Sequence, residues 1–457
     1  MANDLGRTLY NAGLNELALS ELLGPASSGD DVPLVLARYS AGDPRAALVR
    51  AFVLGEPVLP EALPTPEALV EAGLVELTPR GALARVRLTP FAGFLIAHDA
   101  DASEGDTVTG VNAASRTLAT LTVRRQVDRA LDLGTGSGVQ ALLASRHARA
   151  VVATDVNAHA LDLADLGARL NGVALDLRSG SLFEPVAGER FDLIVANPPF
   201  VISPDREFVF RDSGLPGDAI CREVVRGAAA HLAEGGFATV LCNWICRTPE
   251  ERWEPLAEWV DGLDCDAFLL SHGAVDPLRY ASRWNEPVRK DPDAFATAVG
   301  RWLDYYEREG VAGIGIGAVI LRGRSEPGWT RGYTAPHPAV GSAGEHILRL
   351  FAAADRLDGL EDEAELLDER FELVQGHRLD QTLVYRDEYQ VTDVTMSLAE
   401  GVGLVGRLEP AELPLLFAMT PDQTVRELAA DSEMDEVDAL AAVRRLYEHG
   451  LLERRDS

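Results

Sequence analysis

The chain has 457 residues, 47% apolar and 25% charged, a globular composition that suits two or three domains and excludes collagen-like, disulfide-framework and wholly disordered classes. Its 72 acidic residues face 42 Lys and Arg, a net charge of −30, so extensive contact with duplex DNA, which rests on phosphate neutralisation, is not expected. No run approaches the ~18 consecutive apolar residues of a membrane helix, and the first residues lack a basic region followed by an apolar stretch, so a cytoplasmic protein without membrane association is expected.

Residues 1–102 hold helix-like segments (ALSELLG, DPRAALVRAFVLG), then punctuation at Pro57, Pro60, Pro64 and Pro66. A short amphipathic helix ending near Gly73 and alternating apolar residues that read as a hairpin follow, a winged-helix-like order. Residues 103–325 alternate short apolar runs (RALDLG, AVVATD, FDLIVAN, FATVLCN, CDAFLLS, GIGAVILRG) with helical stretches. That alternation predicts an α/β domain around a mainly parallel sheet covered on both faces.

Between Gly323 and Gly344 lie five Gly and three Pro, which reads as a linker, placed at 326–344, rather than a structural element. His337 and His346 are expected at its surface. Residues 345–457 open with a helix, continue through strand-like alternation in LDQTLVYRDEYQVTDVTMSL, and end in three helices with Thr424 and Asp435 as N-caps. From Gly341 onward there are 27 acidic residues and 11 Arg, a net of −16. The winged-helix-like end carries Asp435, Glu436 and Asp438 against Arg444 and Arg445, so a packing or protein-contact role is expected rather than DNA reading. Any basic substrate-facing surface is expected between Val275 and Val340 or on Arg116, Arg124, Arg125 and Arg129.

The four cysteines are Cys221, Cys242, Cys246 and Cys265. Cys242 and Cys246 lack the second pair of ligands that a zinc site needs, so buried free thiols and no metal are expected.

Two spans carry chemistry. In Ala130-Leu-Asp-Leu-Gly-Thr-Gly-Ser-Gly138 a strand runs into a glycine loop and then a helix, VQALLASRHA. Glycines permit positive φ and close approach of a ligand, and the helix start offers amides to a negative group. Asp155 ends the next strand, where an acid suits the vicinal hydroxyls of a ribose or caps the following helix; the residue type leaves both open. In Phe191-Asp-Leu-Ile-Val-Ala-Asn-Pro-Pro-Phe200 a buried strand meets a turn stiffened by two prolines, which would hold the Asn197 side chain accurately.

DLGTGSG, ATDVN, GSLFEP and ANPPF, in this order, resemble the class I S-adenosylmethionine (SAM) dependent methyltransferases. Asn-Pro-Pro-aromatic resembles the subgroup that methylates planar nitrogens: DNA adenine-N6 enzymes, ribosomal-RNA guanine-N2 enzymes of the methyltransferase small domain type, and release-factor glutamine-N5 enzymes. The resemblance runs roughly from Thr107 to Arg322. It implies a Rossmann-like seven-stranded sheet, flanked here by winged-helix-like N- and C-terminal domains. It implies SAM as methyl donor, S-adenosylhomocysteine as product, and a structured RNA or a protein such as a translation factor as partner.

The same resemblance implies the site. Asp132 would organise the loop and meet the SAM ammonium. Gly134, Thr135, Gly136, Ser137 and Gly138 would border the methionine moiety. Asp155 would bind the ribose, with Val156 and Asn157 beside the adenine. Ser181, followed by Leu182, stands where the family usually has an acid for the adenine amine. Ala114-Ser-Arg-Thr117 lies where glutamine-type relatives close a segment over SAM. Asn197, Pro198, Pro199 and Phe200 would hold and orient the acceptor nitrogen. A non-catalytic regulator or scaffold is the alternative, and an intact Asn197-Pro-Pro-Phe200 argues against it, as it does against a nicotinamide oxidoreductase.

Overall fold

The computed structural model describes residues 2–24, 35–36, 42–100, 106–205 and 216–455. Residues 206–215, inside the polar segment that follows the Asn-Pro-Pro-Phe motif, lie outside the described residues.

The main sheet has eight strands, numbered here within that sheet: β1 (Val127–Leu133), β2 (Ala148–Asp155), β3 (Asp176–Ser179), β4 (Phe191–Ala196), β5 (Leu232–Cys246), β6 (Cys265–Val275), β7 (Gly313–Gly323) and β8 (Thr330–Thr334). Their order is β8-β6-β7-β5-β4-β1-β2-β3. β1 pairs in parallel with β2 and β4, β2 with β3, and β4 with β5. β7 runs antiparallel to β6, so the sheet is mixed. The doubly wound dinucleotide order is 3-2-1-4-5-6; here β7 is inserted before β6. Ala130, Leu131, Leu193, Ile194 and Val195 are almost fully buried, the continuous apolar run that a strand covered on both faces requires.

The expected count of seven becomes eight because the Gly- and Pro-rich segment read as a linker contains β8, parallel to β6. Composition suggested a loop, but its backbone is captured locally. The Trp329 carbonyl accepts from the Ala267 amide, and the Trp329 amide donates to Asp266. Gly332 then lies so close to the Trp253 ring that any Cβ there would overlap it.

By internal contacts the chain forms two compact units, 1–118 with 125–243, and 119–124 with 244–457. In the first, one helix-and-hairpin layer packs on the helix Ala158–Asn171 that follows β2. Leu5 and Leu9 share a core with Leu163 and Leu170, and Gly6 lets the first helix approach the Leu170 carbonyl closely. The apolar alternation read as a hairpin forms two: Val75–Thr78 with Gly81–Ala84, and Arg87–Phe91 with Phe94–His98. The Asn171 side-chain amide accepts from the Leu95 amide and donates to the Leu95 carbonyl, fastening the second hairpin.

In the second unit the helix Gly344–Asp358 is tied to the sheet through charge. Asp266 is 0% exposed as a side chain and accepts from Arg322 and Arg324; Arg322 and the Trp329 indole reach Asp355. His346, expected at the surface, is instead 1% exposed. Its Nε2 bonds the His449 carbonyl and its Nδ1 the Val402 amide, and burial pushes its pKa down to about 4, so it is a neutral, satisfied core histidine. His337 is exposed. The chain ends by pairing Leu452–Arg455 with Arg370–Leu373. Thr424 and Asp435 cap their helices as the sequence indicates, accepting from Glu427 and Val437 amides.

Candidate active site

Four adjacent strands, β4-β1-β2-β3, bring the motif residues to one edge of the sheet, because the glycine loop follows β1, Asp155 ends β2, Ser181 follows β3 and Asn197 follows β4. Strand order reverses between β1 and β4, and the crevice outside the carboxyl ends at such a switch point is where open α/β sheets bind ligands.

Gly134, Gly136 and Gly138 all have positive φ, at 70°, 53° and 77°. At Gly134 and Gly136 a Cβ would meet open space, so the loop is bare on the side where a ligand would lie. Gly138 differs: a Cβ would press on Ala164, so this glycine lets the loop pack on the next helix. Asp132 is buried behind the loop and shapes it, accepting from Thr135 Oγ1 at 2.7 Å and from the Ala141 amide at 2.9 Å. Burial outweighs these bonds and pushes its pKa up to about 7.

Asp155 Oδ2 accepts from the Gly136 amide at 2.9 Å, and Oδ1 accepts from the Asn157 amide at 2.9 Å. Burial raises its pKa against those bonds. The two readings of Asp155 now separate, because the helix N-cap is Asn157, whose Oδ1 accepts from His159. Val156, between them, is 56% exposed, an apolar shelf beside a carboxylate. Leu182 adopts φ 47°, an uncommon backbone for a bulky residue and of the kind that clusters at functional sites.

On β4, Asn197 is half-buried and Pro198 buried. The Asn197 Oδ1 atom is shielded from solvent and has no hydrogen-bond partner among the described residues. A buried acceptor without a donor costs about 1–3 kcal/mol, and this oxygen meets none among the described residues. Pro199 and Phe200 are half-buried.

Sequence reasoning missed the strap formed by residues 106–115. Ser137 Oγ donates to the Thr109 carbonyl, the Gln140 side chain to the Ser115 carbonyl, and the Asn157 side chain to the Asp106 carbonyl. Asp99 anchors the strap through the Val108 amide and contacts His159 at 2.8 Å. The one legible signal was Gln140, a polar residue on the apolar face of VQALLASRHA. Ser115 falls within the segment Ala114–Thr117 singled out by resemblance.

Of the residues expected to form a basic surface, the four arginines that precede the glycine loop make local contacts. Arg116 lies over Phe91, Arg125 over Phe237, and Arg129 over Phe191 while pairing with Glu189; Arg124 donates to the Ala119 carbonyl. All four cysteines are buried and free, and burial pushes the Cys246 thiol up to about 11 and Cys265 to about 12. Among the described residues no three His, Cys, Asp or Glu side chains are grouped to hold a metal, and no helix is long and apolar enough to cross a membrane.

Residues 107–251 match the methyltransferase small domain family. The matched span contains the glycine loop, Asp155, Ser181 and the Asn197 turn. Within this region the chain is 39% identical over 129 residues to the release factor glutamine methyltransferase of Xylella fastidiosa, covering 25% of this chain and 47% of that one. It is 35% identical over 169 residues to the ribosomal protein uL3 glutamine methyltransferase of Bradyrhizobium diazoefficiens, covering 33% and 52%. To the ribosomal RNA small subunit methyltransferase C of Alcanivorax borkumensis it is 31% identical over 152 residues, covering 33% and 40%. The chain thus spans about half the length of the curated relatives it matches. Among solved structures, a T. thermophilus 16S rRNA N2 methyltransferase in complex with AdoMet and guanosine aligns with TM-score 0.28 and 23% identity, over 39% of this chain and 48% of that one.

Proposed function

We propose that the chain is a SAM-dependent N-methyltransferase that acts in the cytoplasm on a planar NH2 group of a macromolecule, an RNA base amine or a protein glutamine side chain. The observation that carries this reading is the buried Asn197 Oδ1, without a partner among the described residues, at the switch point beside the bare glycine loop.

The residues present fit SAM. Gly134 and Gly136 leave room for the methionine part, and Asp132 stands behind the loop as a counter-charge for its ammonium, with Thr135, Ser137 and Gly138 completing the cradle. Asp155 would accept from the ribose hydroxyls, with Val156 and Asn157 flanking the adenine. Ser181 and Leu182 would close the adenine end, a hydroxyl replacing the usual carboxylate as acceptor.

When bound, SAM supplies an electrophilic methyl group. The chain's own task is to make a poor nucleophile competent, because an amide or aniline-like nitrogen has its lone pair delocalised. The Asn197 side-chain carbonyl and the Pro198 backbone carbonyl accept from the two N–H bonds, orient the nitrogen and stabilise the positive charge that grows on it. Pro199 keeps the turn rigid, Phe200 offers a flat face to the amide or base, and fixed placement lowers the barrier further.

Titration calorimetry tests the binding half. One site per chain for SAM or S-adenosylhomocysteine without added metal is expected, and binding of NAD with no heat from either SAM species would overturn the proposal. Tritiated methyl transfer into a cell lysate, split by RNase and protease treatment, tests the acceptor: label lost to protease assigns a protein, and label lost to RNase assigns an RNA.

A further inference from the structure

In the second unit, His377–Arg386 and Glu388–Leu398 form a long antiparallel hairpin, and Val405–Leu408 adds a third strand only beside Val394–Ser397. Beyond that support the hairpin continues as a two-stranded ribbon. Nine of the ten residues of His377–Arg386 are exposed, and among the described residues this strand pairs on one side only. A two-stranded ribbon is marginal in water without a third strand or a packed face. Here the cross-strand pairs Leu383 with Val391 and Tyr385 with Tyr389 place an apolar face on it. Leu383 is 53%, Tyr385 66% and Tyr389 72% exposed. Gln381-Thr-Leu-Val-Tyr385 is an uncharged, β-prone run on an open edge, which natural sheets normally cover or block with charge.

We propose that this edge pairs antiparallel with the same edge of a second copy of the chain, joining two hairpins into one continuous sheet. The charges select both the occupant and the register. With Leu383 opposite its own copy, Asp380, which also pairs with Arg378 on its own strand, faces Arg386 of the second copy, twice by symmetry. A shift that brings Arg378 opposite Arg386 opposes like charges, which antiparallel neighbours penalise. The register that leaves the uncharged run at the centre is therefore the one whose flanking charges agree. The shared edge satisfies a row of open backbone groups, and the two-fold relation makes the contact self-limiting. The proposal is independent of the methyltransferase reading.

Sedimentation equilibrium of the full chain tests it, with circular dichroism confirming that each variant keeps its fold. The wild type should dimerise at micromolar concentration. Asp380→Arg and Arg386→Asp each oppose like charges twice across the dyad and should each raise the dissociation constant about tenfold or more, since each 1.4 kcal/mol is tenfold. The double variant Asp380→Arg with Arg386→Asp restores opposite charges and should recover wild-type affinity. A wild type that stays monomeric, single variants that dimerise as well as wild type, or a double variant that stays as weak as the singles would each overturn the pairing.

Discussion

The glycine-loop edge of the first unit and the acidic C-terminal region of the second treat polar groups in opposite ways. At the loop, Gly134 and Gly136 face open space and Asn197 Oδ1 is buried without a donor among the described residues. In the C-terminal region Arg445 pairs with Glu412, Arg444 with Glu363, Arg356 with Glu365 and Glu369, and Arg426 with Asp368 and Glu436. A polar group held without a partner is a cost unless something arrives to meet it. A paired cation is spent on structure, so a net charge of −16 in that region coexists with arginines that already have carboxylates to answer. The contrast is one of degree, since Ser432 Oγ in the C-terminal region is also buried without a hydrogen-bond partner among the described residues.

The largest expected effect lies on the architectural side. Asp266 is a fully buried carboxylate serving Arg322 and Arg324, and Asp266→Ala should cost about 3–5 kcal/mol of stability, the range for stripping one partner from a buried ion pair, measured by urea unfolding. An effect below about 1 kcal/mol would mean that the network is as weak as a surface pair and would blur the contrast. On the open side, Asp155→Ala should weaken SAM binding by about 1–3 kcal/mol, the loss of a hydrogen bond to a charged acceptor, read by calorimetry. Unchanged affinity would remove the ribose assignment, because Asn157 and not Asp155 caps the helix.

Asp132 gives a pH signature. Its folded pKa, raised by burial to about 7, exceeds the ordinary value near 3.9 of an unfolded aspartate. The folded state therefore binds the extra proton between those values, and the Asp132 contribution to stability falls as pH rises from about 4 to about 7. A cation bound beside it favours the carboxylate, so SAM affinity should decline as pH drops below about 7, and Asp132→Asn should flatten that dependence. A pH-independent affinity in the wild type would contradict the ammonium assignment. The smallest effect belongs to Thr424, which caps its helix through the Glu427 amide. Thr424→Ala should lower stability by ~1 kcal/mol and leave methyl transfer by the folded enzyme unchanged.

Much of this division was legible in the sequence. The runs RALDLG, VVATD and FDLIVAN became β1, β2 and β4 because buried parallel strands need unbroken apolar residues, and their order carried the glycine loop, Asp155 and Asn197 to one edge. Thr424 and Asp435 were readable as caps because capping is local. What stayed hidden depends on distant partners. β8 lies in a Gly- and Pro-rich stretch and exists through bonds from Ala267 and Asp266. His346 looked superficial until Val402 and His449 enclosed it. The strap over the loop is held by side chains donating to carbonyls of Asp106, Thr109 and Ser115, and backbone acceptors leave no trace in residue type.

Single-turnover methyl transfer by Asn197→Ala, at a temperature where the variant is demonstrably folded and binds SAM, addresses the central claim most directly. Loss of one preorganised polar contact in a transition state costs about 10²–10³-fold in rate, and the account predicts a fall in that range with SAM affinity nearly intact. Phe200→Tyr, which preserves a flat ring, should be tolerated alongside it. A rate for Asn197→Ala within about threefold of wild type, well short of that range, would show that the buried Asn197 oxygen does not orient the acceptor nitrogen and would contradict the account.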